Sequence, residues 1–378
     1  MNEKIKKIML LPDSFKGSMS AQEFCDIVEA AILRRIPGCA VEKYPVADGG
    51  EGSVDSFLSS VGGERIGARV TGPLGEPVDG FFALLATGEA VVEMAAAAGL
   101  PLVAGRLAPL TTNTYGVGEL IARALDRDVK RLIVGLGGSC TTDGGCGTAA
   151  ALGVRFLKSG GEAFVPSGGT LRDIDAIDMS GADPRLQNTE IVLMCDIDNP
   201  MHGPRGAAHI FGPQKGATPE DVKLLDEGLR HLAGIIERDL GIDVSTTPGG
   251  GAAGAMGAGL HAFCGGELKP GIQVVLDTIR FEEQARDADL IITGEGRLDG
   301  QSLSGKVVVG ICRRARDIGK PVTAIVGALE PGYEAAYEQG LSAAFSTNPR
   351  PQSLEDAMRL SRENLAGCVD NICRLLLL

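Results

Sequence analysis

Hydrophobic and polar positions follow one pattern in the two outer parts of the chain. Short apolar or β-branched runs alternate there with amphipathic segments, which is typical of parallel strands buried on both faces. The runs lie at 6–12, 40–46, 289–294, 321–327 and 341–347, and helices are predicted at 20–36 and 51–60. Five such strands with their helices predict a doubly wound, flavodoxin- or Rossmann-like α/β domain.

The middle of the chain follows a different pattern. Residues 65–100 alternate as short strands with Gly and Pro turns, which predicts antiparallel hairpins. The following pattern predicts helices at 113–127, 145–152 and 218–239, and strands at 130–137 and 190–197. No repeat or low-complexity linker separates these parts. We therefore predict a second, mixed α/β domain over 65–283, inserted between 1–64 and 284–378 of the first domain.

Composition narrows the class of protein. The chain has 378 residues, a formal charge of −13, 4% aromatic residues and no Trp. The length predicts two domains, and the charge and scarcity of aromatics argue against a nucleic-acid partner. No apolar run is long enough for a membrane span or a signal peptide, so we expect a cytoplasmic protein without membrane contact. Nine Cys without C-x-x-C and four His without H-E-x-x-H indicate neither a disulfide framework nor a zinc site.

Polar loops follow four of the predicted strands. They are PDSFKGS (12–18), VADGGEGS (46–53), GLGGSCTTDGG (135–145) and TGEGRLDGQSLSGK (293–306). Ligands of open parallel sheets bind beyond the carboxyl ends of the strands, where loops meet helix N-termini. Asp, Ser and Gly are also ordinary turn and cap residues, so one such loop alone would more often be structural. Four together favour a ligand site.

Two glycine-rich stretches, GLGGSCTTDGG (135–145) and PGGGAAGAMGAG (248–259), offer backbone N–H groups to phosphate oxygens. Neither is a Walker A loop, and the G-x-G-x-x-G at 249–254 has no convincing strand before it, so a dinucleotide fingerprint is weak. For PGGGAAGAMGAG (248–259), close packing of a small-residue helix explains the glycines as well as phosphate binding does. The candidate phosphate ligands are Gly137, Gly138, Ser139, Thr141, Gly250 and Gly251, with positive charge from Lys215 of FGPQKGA.

Acidic residues at the strand ends suit magnesium, which takes carboxylate oxygens and bridges phosphates. Phosphoryl transfer requires that metal, a cation against the phosphates and a base for the attacking hydroxyl. The candidate metal ligands are Asp198, Glu295 and Asp299. A capping turn before Pro200 is the structural alternative for Asp196 and Asp198.

Together, these segments resemble the type 1 glycerate kinase family. The resemblance rests on the four loops and on EMAAAAGL, TTNTYGVGELI, CDIDNP, FGPQKGA and PGGGAAGAMGAGL, and it runs from residue 12 to 306. It implies two α/β domains, one inserted in the other, with a cleft between them. It also implies ATP-dependent phosphorylation of D-glycerate, in bacteria usually at C2 to give 2-phosphoglycerate. Together with the magnesium that the carboxylates suit, the expected cofactors are ATP and Mg²⁺. The sequence leaves the oligomeric state open, although homodimers are common among oligomeric enzymes.

The chemistry of the substrate suggests roles that the resemblance leaves open. Glycerate is a small anion, and its carboxylate needs a compact cationic or N–H-rich pocket. A carboxylate, Asp196 or Asp13, would accept the hydroxyl proton. The candidate catalytic residues are Lys16, Asp196, Asp13 and Arg297, and the candidate substrate ligands are Ser14, Ser18, Asp48 and Glu51.

Three alternatives remain at this point. A D-glycerate 3-kinase would share these loops, because spacing in a sequence does not determine which hydroxyl is phosphorylated. An NAD(P)-dependent hydroxy-acid dehydrogenase needs a fingerprint after the first strand, and PDSFKGS is not one. A non-catalytic sensor of a small acid would normally carry a nucleic-acid or partner module, and we recognise none in the sequence.

Overall fold

The computed structural model describes residues 5–46, 52–300 and 307–378. Its strands are β1 (Lys7–Pro12), β2 (Ala40–Lys43), β3 (Gly63–Thr71), β4 (Pro77–Leu85), β5 (Ala90–Glu93), β6 (Arg131–Gly135), β7 (Arg155–Leu157), β8 (Ala163–Phe164), β9 (Ala176–Asp178), β10 (Glu190–Met194), β11 (Glu267–Lys269), β12 (Leu290–Gly294), β13 (Arg297–Leu298), β14 (Val322–Val326), β15 (Ala328–Leu329) and β16 (Leu341–Ser346). Its helices are α1 (Ala21–Arg35), α2 (Ser53–Val61), α3 (Ala95–Ala98), α4 (Tyr115–Leu125), α5 (Cys146–Ala151), α6 (Ala207–Phe211), α7 (Pro219–Leu240), α8 (Ala252–Cys264), α9 (Gly271–Thr278), α10 (Phe281–Gln284), α11 (Val307–Asp317), α12 (Ala335–Glu338), α13 (Leu354–Arg359) and α14 (Ser361–Leu376). Short 3-10 segments cover Leu100–Val103, Gly168–Asp173, Pro184–Asn188 and Pro213–Lys215.

The chain divides into two compact units. The first lies within Met1–Asp48, Ser59–Val61 and Pro270–Leu378, and the second within Gly49–Leu58 and Gly62–Lys269. The segment 270–283, which we predicted in the inserted domain, falls in the first unit. No helix in the described ranges has both the length and the apolar character that crossing a membrane requires.

The first unit is built on a five-stranded parallel sheet with the order β16-β14-β12-β1-β2. Counted within this sheet, the order is 2-1-3-4-5, that of flavodoxin-like doubly wound folds, as the alternating pattern predicted. The order reverses between β1 and β12, so a crevice between the loops after these strands is the expected ligand position in such folds.

Helices cover both faces of this sheet. Ile8 and Leu10 pack in one buried cluster with Phe24 and Val28 of α1 and with α14. Met9 and Leu11 alternate with them and are also fully buried, while α11 contacts β1, β12 and β14. Burial on both faces explains why the first strand reads as an uninterrupted apolar run.

The second unit contains a six-stranded sheet with the order β11-β10-β6-β5-β4-β3. β11, β10, β6 and β5 are parallel, whereas β5-β4-β3 form the antiparallel hairpins predicted from residues 65–100. A small antiparallel sheet of β8, β7 and β9 was not predicted, because strands of two or three residues are too short to show periodicity.

Candidate active site

In the first unit, two of the predicted loops lie side by side at the carboxyl ends of neighbouring strands. Pro12 at the end of β1 pairs with Gly294 at the end of β12, and the Asp13 N–H donates to the Gly294 carbonyl at 2.8 Å. A Cβ on Gly296 would lie 3.7 Å from Cα of Phe15 and 3.8 Å from the Lys16 nitrogen. The topology therefore brings PDSFKGS and TGEGRLD together where the strand order reverses.

The PDSFKGS loop is a tight turn anchored by apolar side chains. The Phe15 N–H donates to the Met19 carbonyl at 2.8 Å, and the Met19 N–H donates back to the Phe15 carbonyl at 3.0 Å. Phe15 and Met19 are buried, whereas Lys16 and Gly17 are exposed. Gly17 has φ of 77°, a left-handed conformation that favours glycine. This geometry exposes Lys16 at the carboxyl edge of the sheet.

The serines of this loop also form hydrogen bonds within the protein, one of them local and the other to a distant part of the chain. The Ser14 N–H donates to Oδ1 of Asp13 at 2.6 Å, and Oγ of Ser18 donates to the Met358 carbonyl at 3.5 Å. The polarity of the turn thus has a structural component in addition to any role in binding a ligand.

The loop after β12 carries the acidic and basic candidates of this unit. Glu295 is 7% exposed, whereas the exposed guanidinium of Arg297 donates from Nε to Oδ2 of Asp299 at 3.1 Å. The Gly327 N–H, just after β14, donates to the Glu295 carbonyl at 3.1 Å. Asn348, just after β16, donates from Nδ2 to the Gly327 carbonyl at 2.8 Å. Asn348 was not among the residues predicted from the sequence, although the polar run after the last strand was a signal.

In the second unit, Lys215 lies beneath the GLGGSCTTDGG loop that follows β6. It is only 2% exposed, and its Nζ donates to Oγ of Ser139 at 2.7 Å and to the Thr141 carbonyl at 2.6 Å. Burial lowers the pKa of Lys215 from 10.5 to about 8. The fold therefore brings Lys215 to two predicted phosphate-site residues, Ser139 and Thr141, which precede it by 76 and 74 positions in the sequence.

Backbone donors at the start of this loop are available for a ligand. Within the described ranges, the N–H groups of Gly137, Gly138 and Ser139 donate no hydrogen bond to another backbone group. Gly138 is exposed and has φ of 77°. Adjacent N–H groups in a glycine turn form a concavity suited to an anion.

Asp143 anchors the other end of the loop and was not among our candidates. Its carboxylate is completely buried and accepts hydrogen bonds from the N–H and Oγ1 of Thr114, both at 2.8 Å. It also accepts from the N–H groups of Gly145 at 3.2 Å and Gly147 at 3.1 Å, at the start of α5. Burial is the main cause that raises the pKa of the Asp143 carboxyl. The carboxylate thus ties the loop to the first turns of α4 and α5.

The PGGGAAGAMGAG segment packs against this loop. The N–H groups of Gly250 and Gly251 donate to the carbonyls of Thr247 and Asn199, both at 2.9 Å, and both glycines are buried. A Cβ on Gly254 would lie 2.0 Å from the Thr141 carbonyl oxygen. These contacts favour the close-packing interpretation of the segment, because its candidate N–H donors already have backbone partners.

The CDIDNP loop follows β10, the strand next to β6. Asp196 is exposed, and Asp198 forms an exposed ion pair with Arg205 at 3.0 Å. Asp198 belongs to the second unit, whereas the other two candidate metal ligands belong to the first. Among the residues that the structure describes, no group of three or more His, Cys, Asp or Glu side chains could hold a metal ion.

Glu93, at the end of β5, is a further buried carboxylate, and it stands in the EMAAAAGL motif to which no role was assigned from the sequence. It is 3% exposed and accepts hydrogen bonds from the Val54 N–H at 2.5 Å and the Gly52 N–H at 3.3 Å. Burial is the first cause that raises the pKa of this carboxyl. Glu93 therefore fixes the start of α2, directly after the VADGG stretch. The predicted substrate ligands of that stretch, Asp48 and Glu51, lie outside the described residues.

The sequence model of the glycerate kinase family matches residues 8–377. The chain belongs to the glycerate kinase family. It is 47% identical over 367 residues to "Glycerate kinase" of Halalkalibacterium halodurans, covering 97% of both chains. It is 43% identical over 370 residues to "Glycerate 2-kinase" of Escherichia coli, covering 97% of this chain and 95% of the relative.

A solved structure has the same fold. The crystal structure provisionally named glycerate kinase 2, from Salmonella typhimurium LT2, superposes with a TM-score of 0.87 at 43% identity, over 98% of both chains. Family membership makes the chain a kinase, as the resemblance of its motifs implied.

This member of the glycerate kinase family thus presents two sets of candidate residues, one in each unit. The first set comprises Asp13, Ser14, Lys16, Ser18, Glu295, Arg297 and Asp299, and the second comprises Gly137, Gly138, Ser139, Thr141 and Lys215, with Asp196 and Asp198 on the loop after the neighbouring strand.

Proposed function

We propose that the protein transfers the γ-phosphoryl group of ATP to the C2 hydroxyl of D-glycerate, which gives 2-phosphoglycerate and ADP. The full-length similarity to a relative named for phosphorylation at C2 is the observation that carries this proposal. The two sets of candidate residues support it, because each contains a cation and hydrogen-bond donors at the carboxyl ends of parallel strands.

Each set suits a different part of the reaction. The second unit offers backbone N–H groups, a serine hydroxyl and a buried lysine, a donor set that suits phosphate oxygens. In the first unit, exposed Lys16 and Arg297 suit the glycerate carboxylate or the transferred phosphoryl group. Asp196 or Asp13 would accept the proton of the attacking hydroxyl.

Carboxylate oxygens fit the magnesium ion that phosphoryl transfer requires. Glu295 and Asp299 of the loop after β12 would hold it, since both stand next to the switch point of the parallel sheet. Asp198 suits this role less, because its side chain is far more exposed than those of Glu295 and Asp299, so water screens its charge. When bound, the ion would neutralise charge on the phosphates.

The direct test is an ADP-release assay over a panel of small hydroxy acids, with phosphorus NMR to assign the product. We expect turnover with D-glycerate and a phosphorus resonance coupled to the single proton on C2. A product coupled to the two C3 protons would contradict the position, and absence of ADP release with every acid would contradict the activity.

Variants test the individual roles. Lys16→Ala and Asp196→Ala should lower kcat by about a hundredfold or more, because each removes a group that acts on charge or a proton in the transition state. Lys223→Ala, which changes an exposed lysine on α7, is the matched control and should leave kcat unchanged. Near-normal kinetics in either site variant, with folding intact, would remove that residue from the mechanism.

A further inference from the structure

Lys215 is a buried cation without an anionic contact in the described part of the chain. Its two hydrogen bonds go to neutral oxygens, Oγ of Ser139 and the carbonyl of Thr141, and it forms no ion pair there. The nearby Asp143 carboxylate raises the pKa of Lys215 but does not offset the larger effect of burial. A buried charge normally requires a counter-charge, because desolvation of an ammonium is costly. The site therefore favours an incoming anion.

The burial of Lys215 argues against direct contact with a ligand. Lys215 is 2% exposed, whereas Ser139 is 7% exposed and follows the exposed Gly138. A serine hydroxyl has one proton and accepts through its lone pairs. Because Oγ of Ser139 accepts from the ammonium, its own proton must point away from Nζ and remains able to donate. Lys215 thus sets the direction in which Ser139 donates.

Two threonine hydroxyls of the same loop are a second, independent indication of a ligand. Oγ1 of Thr141 and Oγ1 of Thr142 are buried and have no hydrogen-bond partner among the described residues. Buried polar atoms in native proteins are nearly always satisfied, so unsatisfied ones require a partner such as a bound molecule or water. Together with the N–H groups of Gly137, Gly138 and Ser139, they give the loop unused hydrogen-bonding capacity.

We propose that Lys215 is a positioning residue whose ammonium holds the Ser139 hydroxyl as a donor to a phosphate oxygen of the nucleotide. The proposal rests on the proposed function and replaces a direct contact between Lys215 and phosphate with one made through Ser139. Ser139 and the adjacent N–H groups bind the phosphate, and Lys215 supplies the charge that orients and strengthens the hydroxyl donor.

The charge on Lys215 makes phosphate binding depend on pH. Deprotonated Lys215 has a lone pair, which lets Ser139 donate inward to Nζ and removes the outward donor. The titratable groups facing Lys215 are Cys140 and Asp143, and both raise its pKa against the larger effect of burial. The Cys140 thiol, with a pKa of about 12, stays neutral over the useful range. Phosphate binding should therefore weaken as pH rises through about 8.

The experiment measures the Kd of ATP for the full chain by calorimetry, without an acceptor, for the wild type, Lys215→Met, Ser139→Ala and the double variant. Each single variant should weaken binding about ten- to a hundredfold, as expected for loss of a charge-assisted hydrogen bond. The double variant should resemble the weaker-binding single variant, because the two residues act in series. Lys223→Met, at an exposed lysine, should bind like the wild type.

A pH series provides a readout that is independent of whether Lys215→Met folds. Between about pH 7.5 and about pH 9.5, where phosphate groups no longer titrate, ATP binding to the wild type should weaken severalfold. Binding to Ser139→Ala should stay flat over this range. The proposal would be overturned by a pH dependence of ATP binding that persists in Ser139→Ala or by an unchanged ATP affinity of Ser139→Ala. It would also be overturned if the fold-losses in ATP affinity of the two single variants multiplied in the double variant. Because the acceptor is absent, failure of phosphoryl transfer to glycerate would overturn the proposed function without deciding this one.

Discussion

Replacing Asp143 with alanine should destabilise the protein far more than an ordinary loss of a helix cap. The Asp143 carboxylate accepts from the N–H and the hydroxyl of Thr114 and from the N–H groups of Gly145 and Gly147. All of these donors are in the buried interior of the second unit. Asp143→Ala removes their shared acceptor while the donors remain buried.

The chain contains a matched control for this change. Asp221, at the start of α7, accepts from the N–H of Thr218 at 2.9 Å and from its hydroxyl at 2.8 Å, but at an exposed site. The same pair of threonine donors is thus buried around one carboxylate and solvated around the other. If the loss of unfolding free energy per donor is larger for Asp143→Ala than for Asp221→Ala, the difference is due to burial.

The magnitude follows from this comparison. An unsatisfied buried donor costs about 1–3 kcal/mol, and four of them exceed the gain from no longer desolvating a carboxylate. We expect Asp143→Ala to lower the free energy of unfolding by about 3–5 kcal/mol. Asp221→Ala removes the N3 half of the exposed capping box at Thr218 and should lower it by about 0.5–2 kcal/mol.

Urea unfolding followed by circular dichroism measures both values at one pH. Equal losses of free energy in the two variants would refute the reasoning, because burial would then contribute nothing to the cost. A stable Asp143→Ala protein with unchanged ATP affinity would additionally show that the anchored end of the loop is not needed for binding.

Two further predictions concern neighbours of this loop. The pKa of Lys215 is about 8 in the folded protein and 10.5 in the unfolded chain. Holding the charged form at about pH 7 therefore costs about 3 kcal/mol of folding free energy. Between these two pKa values the unfolded chain binds the proton and the folded protein does not, so the free energy of unfolding rises with pH. From about pH 7 to about pH 9.5, the free energy of unfolding of the wild type should rise by about 2 kcal/mol relative to that of Lys215→Met. A difference that stays constant with pH would contradict burial of the charge. Gly254→Ala should destabilise by about 3 kcal/mol or more, since its Cβ would lie 2.0 Å from a carbonyl oxygen at φ of +66°. Gly234→Ala, in open space on α7, should instead stabilise by about 0.5–1 kcal/mol, and similar thermal shifts for the two glycines would be inconsistent with the packing.

Several features of the fold could be predicted because they depend on short stretches of sequence. The apolar runs identified the central strands β1, β12 and β14 of the first sheet, since strands buried on both faces carry few polar residues. The edge strands β2 and β16 are only partly buried, but they also lie within predicted strands. The Gly and Pro turns of residues 65–100 predicted hairpins, and β3, β4 and β5 form them. Capping boxes at Ser20 and Thr218 mark the starts of α1 and α7, because a cap is a contact between residues three apart.

The motifs also determined the family, and with it the class of enzyme. A ligand at the end of a strand is bound by glycine turns and polar residues that are neighbours in the sequence. Such residues therefore form continuous motifs that can be recognised in the sequence alone. The positions of Asp13, Lys16, Glu295 and Arg297 at neighbouring strand ends follow from such blocks once the order of the strands is known.

Only the tertiary structure decided which residues are partners across the chain. Lys215 meets Ser139 over 76 residues of sequence, and Asp143 meets Thr114 over 29. Both contacts place charged groups in the interior, and a sequence pattern that marks such groups as solvent-exposed gives no warning of them. Alanines at 253 and 255 adopt left-handed conformations around Gly254, which surrounding contacts must impose against their local preference. Local composition sets where strands, turns and caps form, whereas burial and long-range packing set which polar groups must bind each other.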